Sequence, residues 1–236
     1  MKIAIPTINR ADTIESGTLS IVRGLGYPIY LFVSDDEQKK IYGNIKDVEI
    51  VSVNKVGIAN ARNAILDYFG KGEEVVQMDD DVEGIYRLED GVLRELRGIL
   101  LAGFMEQAFY DIKQKNLNLW GVYPVPNEFY MDKKITNGNF IIGTFCGIIV
   151  SDIRCDARLP LKEDYDFTLS HIKRGGVQRY DWITVKAKHY KNKGGAVDIR
   201  DDIKEQTAIA ILKEKWGDWV RDNPRRKNEI LIKRGL

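Results

Sequence analysis

Three consecutive carboxylates, Asp79, Asp80 and Asp81, follow the apolar run Glu74 to Met78 (EVVQM). Side by side they repel one another, and a cation between them relieves the repulsion. Hard carboxylate oxygens suit Mn²⁺ or Mg²⁺, ions that commonly also hold substrate phosphates. A divalent ion bridging a diphosphate acts as a Lewis acid on the leaving group. Asp79 and Asp81 form the spaced pair expected to hold the metal, with Asp80 turned to the other side. A solvated turn or a helix-start cap would explain the same triplet without chemistry.

The segment Gly57 to Phe69 (GIANARNAILDYF) is a second signal. At 100° per residue, Ile58, Ala61, Ile65, Leu66 and Phe69 form an apolar arc, with Asn60, Asn63 and Asp67 opposite. Arg62 falls inside the arc, where a guanidinium needs a buried acid or a phosphate. The first-turn amides also favour an anion. An arginine snorkelling at the arc's edge is the bland alternative.

Glu163 and Asp164, in LPLKEDYDF, precede a helical run. Either could cap that helix. A carboxylate there could instead take the proton of an attacking hydroxyl; Asp164 is the first choice, with Glu163 or Asp166 as alternates. His189 closes an apolar run before Lys191-Asn192-Lys193-Gly194-Gly195, and its imidazole could complete a metal site with Asp81. The following lysines and glycines could close over a diphosphate. The other histidine, His171, reads as structural or exposed. There is no GxxxxGK[ST] loop, no GxGxxG after the first strand, no GxSxG elbow and no zinc-deaminase pattern.

The elements that must position these groups alternate from the start. Strands are expected at Lys2 to Pro6, Ile29 to Val33, Val48 to Val53 and Glu74 to Met78, with helices at Thr13 to Leu25, Glu37 to Tyr42 and Ile58 to Phe69. This predicts an α/β fold with a mainly parallel sheet and helices on both faces, and ligands beyond the carboxyl ends of its strands. Pro6-Thr7, Ser34-Asp35-Asp36, Asn54-Lys55 and the acidic triplet should therefore converge. The second half reads as mixed: helix from Val92 to Lys115, strands at Leu119 to Tyr123 and Phe140 to Val150, helix Asp164 to Arg174, strand Trp182 to Tyr190, helix Ile203 to Lys215, then a polar, basic tail with Pro224-Arg225-Arg226-Lys227.

A chain of 236 residues that is 44% hydrophobic and 30% charged suits one domain, 1–236, with a ligand-binding half (1–91) and a second half (92–236). The formal net charge of +1 is uninformative, but between His171 and Arg200 eight Lys/Arg face two acids, a local basic face that could meet a polyanion or simply be solvated. Two cysteines, Cys146 and Cys155, form neither a zinc pattern nor a disulfide framework, which fits a reducing cytoplasm. No apolar run is long enough to span a bilayer, and the N-terminus lacks a signal-peptide pattern, so no membrane partner is expected.

Taken in order, IPTINR, GIANARNAI, VVQMDDDV and KEDYDF resemble GT-A glycosyltransferases, whose DxD metal motif the acidic triplet matches and whose ED-type base motif KEDYDF resembles. That resemblance covers roughly Met1 to Tyr190; more narrowly, in overall pattern and small size, the chain looks like the TET/JBP-associated glycosyltransferases of phages and kinetoplastids. The resemblance implies a GT-A Rossmann-like fold and a Mn²⁺- or Mg²⁺-dependent, inverting transfer from a UDP-sugar, UDP-glucose as first guess. The implied acceptor is the hydroxyl of 5-hydroxymethylcytosine or 5-hydroxymethyluracil in DNA, in the host cytoplasm if the chain is phage-encoded. It places Pro6, Thr7, Asn9 and Arg10 by the base and ribose, and Asp35 or Asp36 near uracil or ribose. Arg62 would touch the nucleotide or its phosphates. Asp79 would approach ribose or sugar, Asp80 the sugar, and Asp81 the metal. Asp164 would be the base and His189 a late metal ligand. The HxxGxxKPW motif of some retaining members is absent, since YKNKGG follows His189. Trp120, Tyr123, Phe129, Tyr130 and Phe145 are candidates for holding an unstacked base. The alternatives are a glycan, lipid or protein acceptor, nucleotidylyl transfer, or a non-catalytic nucleotide- or DNA-binding module.

Overall fold

A computed structural model describes residues 1–188 and 202–233. The first half follows the expected alternation. Strand β1 (Lys2–Pro6) leads to α1 (Thr18–Val22), then β2 (Ile29–Val33), α2 (Asp36–Tyr42), β3 (Glu49–Ser52), α3 (Ile58–Tyr68) and β4 (Glu74–Met78). Next come the hairpin β5 (Val82–Glu89) and β6 (Val92–Glu95), α4 (Gly98–Gln114), β7 (Leu119–Tyr123), β8 (Ile135–Thr136), β9 (Phe145–Ile149), α5 (Glu163–Lys173), β10 (Gln178–Ala187) and α6 (Asp202–Trp216). A small antiparallel ribbon of β11 (Val220–Asp222) and β12 (Ile230–Ile232) closes the chain.

One ten-stranded sheet runs through both halves, in the order β3-β2-β1-β4-β9-β7-β10-β5-β6, with β8 against β10. Strands β3, β2, β1 and β4 pair in parallel. Beyond β4 the pairing is mixed: β9 runs antiparallel to β4 and β7, and β10 is parallel to β7 but antiparallel to β5. Helices cover both faces, and the period of two in each strand divides the core accordingly. Ile3 and Ile5 pack with Leu19, Tyr42, Met105 and Phe109 on one face, while Ala4 packs with Ile65, Leu66, Phe167 and Leu212 on the other.

Several expected elements shift. The helix expected over Thr13 to Leu25 shrinks to α1, because residues 10–17 form turns in which the Arg10 carbonyl accepts from the amides of Thr13 and Ile14. The long helix from Val92 begins only at Gly98: Asp90 (φ 49°) and Gly91 (φ 78°) make the tight turn of the β5–β6 hairpin, the chemistry an Asp-Gly pair favours. The strand expected over Phe140 to Val150 is confined to β9, and the one over Trp182 to Tyr190 starts earlier, at Gln178.

Gly147 on β9 lies directly opposite Trp120 on β7. A Cβ there would sit 2.1 Å from the indole. The ring cannot step aside, since Phe104, Phe109 and Phe145 surround it at centroid distances of 5.4–5.6 Å. Gly147→Ala is therefore expected to cost about 1–3 kcal/mol through overpacking, measured by urea unfolding.

Candidate active site

The parallel strands end on a cleft of about 770 Å³. Its wall includes Pro6, Thr7 and Arg10 after β1, Ser34 after β2, Lys55 after β3 and the full acidic triplet after β4. It also includes Lys162, Glu163, Asp164 and Tyr165 at the start of α5, with Lys188 after β10. Of the residues expected to converge at the strand ends, Pro6, Thr7, Ser34, Lys55 and the triplet line this cleft, while Asp35, Asp36 and Asn54 do not.

The acidic turn is built from both sides. Thr18 Oγ1 donates to the Asp79 carbonyl at 2.8 Å and accepts from the Val82 amide at 3.0 Å, while the Asp79 amide donates to the Thr144 carbonyl. Asp80 is buried: its Oδ2 accepts from Thr7 Oγ1 at 2.7 Å and its Oδ1 from Arg10 at 2.5 Å. Asp80 thus braces the turn instead of facing a sugar. The Tyr42 hydroxyl holds Thr7 Oγ1 (2.7 Å) and accepts from the Arg10 amide (2.9 Å). Arg10 also reaches Asp81 Oδ2 at 3.0 Å. Burial and the nearby charge of Asp79 push Asp81 up to about 6 even so, with Arg10 pulling back.

Arg62 sits on the packing face of α3, only 6% exposed. Its neighbours on that face are Ala59, Ile65 and Leu66; Ala61 is only half-buried. Its Nε donates to Glu163 Oε1 at 2.8 Å, Nη1 to Gln77 Oε1 at 3.2 Å and Nη2 to Asp79 Oδ1 at 2.9 Å. The partners are a buried acid, Glu163, a half-buried one, Asp79, and an amide, where the resemblance implied the nucleotide or its phosphates. Burial alone would lower the guanidinium pKa; Asp79 and Glu163 outweigh it and raise it. Glu163 is committed to this pair. Asp164, half-buried on the cleft wall, accepts from the Gly143 amide at 3.3 Å and the Tyr165 amide at 3.0 Å. Burial first, then the adjacent Glu163, push Asp164 up to about 7, with Arg62 opposing. Lys162, left-handed at φ 63°, turns the chain into α5 and pairs with Glu205 of α6 at 2.7 Å. Asp166, the other alternate base, is fully buried against Trp216 and Lys215.

Other candidates lie elsewhere. Asn9 is exposed and pairs with Gln38, and Asp35 caps α2 by accepting from the Gln38 amide, so neither Asn9, Asp35 nor Asp36 lines the cleft. His189 and its glycine loop lie outside the described residues. His171 is buried, bonded to the Phe167 carbonyl. Trp120 and Phe145 are core residues, while Phe129 and Tyr130 are exposed. Sequence reasoning did not single out Thr18, Tyr42, Gln77 or Gly143; their contacts here span tens of residues or run through backbone, and nothing local marks them.

Among the described residues no group of three or more His, Cys, Asp or Glu side chains is placed to share a metal ion. The donor set at the turn is two carboxylates, Asp79 and Asp81, each with an oxygen beyond its arginine contact. That set fits Mg²⁺ or Mn²⁺ completed by phosphate oxygens and water.

No protein-family model and no curated protein matches this sequence. Solved structures do match by shape. The crystal structure of GalNAc-T7 with UDP, GalNAc and Mn²⁺ aligns with a TM-score of 0.56 at 11% identity, over 92% of this chain and 48% of that one. The fold is of the GT-A type. The chain spans about half the length of that protein. UDP-glucose pyrophosphorylase complexed with UDP-glucose aligns more loosely (TM-score 0.46, 11% identity, 90% of this chain and 98% of that one). So does 4-diphosphocytidyl-2C-methyl-D-erythritol synthase from Anaerococcus prevotii (0.46, 9%, 89% and 95%). In this fold the acidic turn and the start of α5 line one cleft, with Arg62 bonded to both.

Proposed function

We propose that the chain transfers a sugar from a UDP-sugar to an acceptor hydroxyl. The observation that carries this reading is the meeting of Asp79, Asp81, Lys55, Lys188 and Asp164 around one cleft. Asp79 and Asp81 would hold Mn²⁺ or Mg²⁺, which when bound neutralises charge on the departing diphosphate. Neither the Lys55 nor the Lys188 side chain has a hydrogen-bond or ion-pair partner among the described residues, leaving both ammonium groups for phosphate oxygens. Asp164 accepts the proton of the acceptor hydroxyl as its oxygen bonds to the anomeric carbon. The bond from that carbon to the diphosphate breaks, UDP leaves with the electron pair, and attack from the opposite face inverts the carbon.

The acceptor we assign is the hydroxymethyl group of 5-hydroxymethylcytosine or 5-hydroxymethyluracil in DNA, on the sequence resemblance. A second reading, a neutral glycan, lipid or protein acceptor, is favoured by the basic segment itself. There Arg174 pairs with Asp152, Arg179 with Asp181 and Lys186 with Glu83, which reduces the charge available to a polyanion.

The test is a UDP-release screen crossing several UDP-sugars with DNA carrying either base, a glycan and no acceptor, with Mn²⁺ or Mg²⁺. Release stimulated at least tenfold by modified DNA is expected. Stimulation by the glycan alone would overturn the DNA acceptor, and no release in any arm would overturn sugar transfer.

A further inference from the structure

Gly143 lies just before β9, and its position requires a glycine for one reason only. Its φ is not in the left-handed region, so the backbone there accepts any residue. Space is the constraint. A Cβ on Gly143 would stand 2.6 Å from Arg62 Nη2, 2.9 Å from Cζ and 3.2 Å from Nε. An exposed arginine would swing away at little cost. Arg62 cannot, because it is buried and its three donors hold Glu163, Gln77 and Asp79. The same glycine donates its amide to Asp164 Oδ2. It therefore touches both the guanidinium that fixes Asp79 and the Asp164 carboxylate.

We propose that Gly143 is a positioning residue for the transfer: lacking a side chain, it lets Arg62 lie against the turn before β9 whose amide holds Asp164, setting the spacing between the acidic turn and the base. This rests on the reading of Asp164 as the base. Gly121 and Gly147 also lack room for a Cβ, but their close neighbours are Ile141 and Trp120, apolar residues outside the cleft wall.

The test is a double-mutant cycle with Gly143→Ala, Arg62→Lys and both together. Lysine keeps a positive charge but ends at Nζ, in place of Cζ, so it lacks the Nη2 that the new methyl would strike first, and its flexible end can step aside. Turnover is read as UDP release, and the melting temperature is read on the same proteins. Gly143→Ala is expected to lower turnover at least tenfold and the melting temperature by about 5 °C. On the Arg62→Lys background the alanine should cost less than twofold more and under 1 °C. Full multiplication of the two effects, or a Gly143→Ala protein within twofold of wild type, would overturn the proposal. If the wild-type protein releases no UDP, sugar transfer and the positioning role fall together, and additive melting shifts would show separately that the Gly143–Arg62 contact is wrong.

Discussion

Asp164→Asn is expected to lower turnover by about 10²–10⁴-fold, the range general bases supply, while the protein stays folded. The isosteric amide keeps one oxygen, which can accept from the Gly143 or the Tyr165 amide; since the two use different oxygens of Asp164, one of these hydrogen bonds is lost, at a cost of about 1–2 kcal/mol. What is lost is the proton acceptor. The wild-type pH profile should show it directly. Asp164 works as the carboxylate, and burial with the adjacent Glu163 pushes it up to about 7. Turnover should thus rise as pH passes upward through about 7 and fall on the acid side, the rising limb reporting loss of one proton. In Asp164→Asn that limb should vanish from the residual rate. A variant that retained more than a tenth of wild-type turnover, or kept the limb, would remove Asp164 from the chemistry. Because Asp166 is fully buried against Trp216 and Lys215, it cannot take over.

Arg62→Met is the second large effect, and it acts on both stability and rate. Methionine fills much of the same volume on the α3 face but leaves Glu163 and Asp79 without their cation. Removing one partner from a buried ion pair typically costs about 3–5 kcal/mol, because the remaining charge stays desolvated. Here two carboxylates are left, and Gln77 Oε1 loses its donor as well. Denaturant unfolding should register that loss. Adding Glu163→Gln should restore part of it, since the amide no longer carries an uncompensated charge. Turnover should fall too, because the Arg62 charge lowers the Asp164 pKa against Glu163 and Asp79; without it the rising limb moves to higher pH. A variant as stable as wild type would mean that the buried network contributes little.

The parallel half of the fold was legible because its strands, buried on both faces, read as short apolar runs broken by polar ends. The acidic triplet could be placed at the binding edge for the same reason. Arg62 also announced itself, as a charge on an apolar arc that needed a buried partner. Its partner did not: Glu163 lies 101 residues away, and no local pattern links the two. That pairing also separates the roles of two neighbouring acids. Sequence put Asp164 first and kept Glu163 as an alternate; the fold separates them by tying Glu163 to Arg62 of α3. Asp80 was misplaced for a related reason, since its partners Thr7 and Arg10 follow β1, 73 and 70 residues earlier in the chain. The β5–β6 hairpin was readable from Asp90-Gly91, but the apolar residues that follow suggested a continuous helix. The basic stretch looked like a patch because sequence shows charges without their partners: Asp152 and Glu83 arrive through the fold, and Asp181, two residues from Arg179, pairs with it along the strand.

The central claim is that the acidic turn holds a metal ion together with a nucleoside diphosphate. Calorimetric titration of UDP into the wild-type protein, with Mn²⁺ and then with excess chelator, tests it without knowledge of the acceptor. UDP is expected to bind at least tenfold more tightly with Mn²⁺, and Asp79→Asn combined with Asp81→Asn should erase that gain. UDP binding that is equally tight with chelator, or a gain from Mn²⁺ that survives the double substitution, would contradict it.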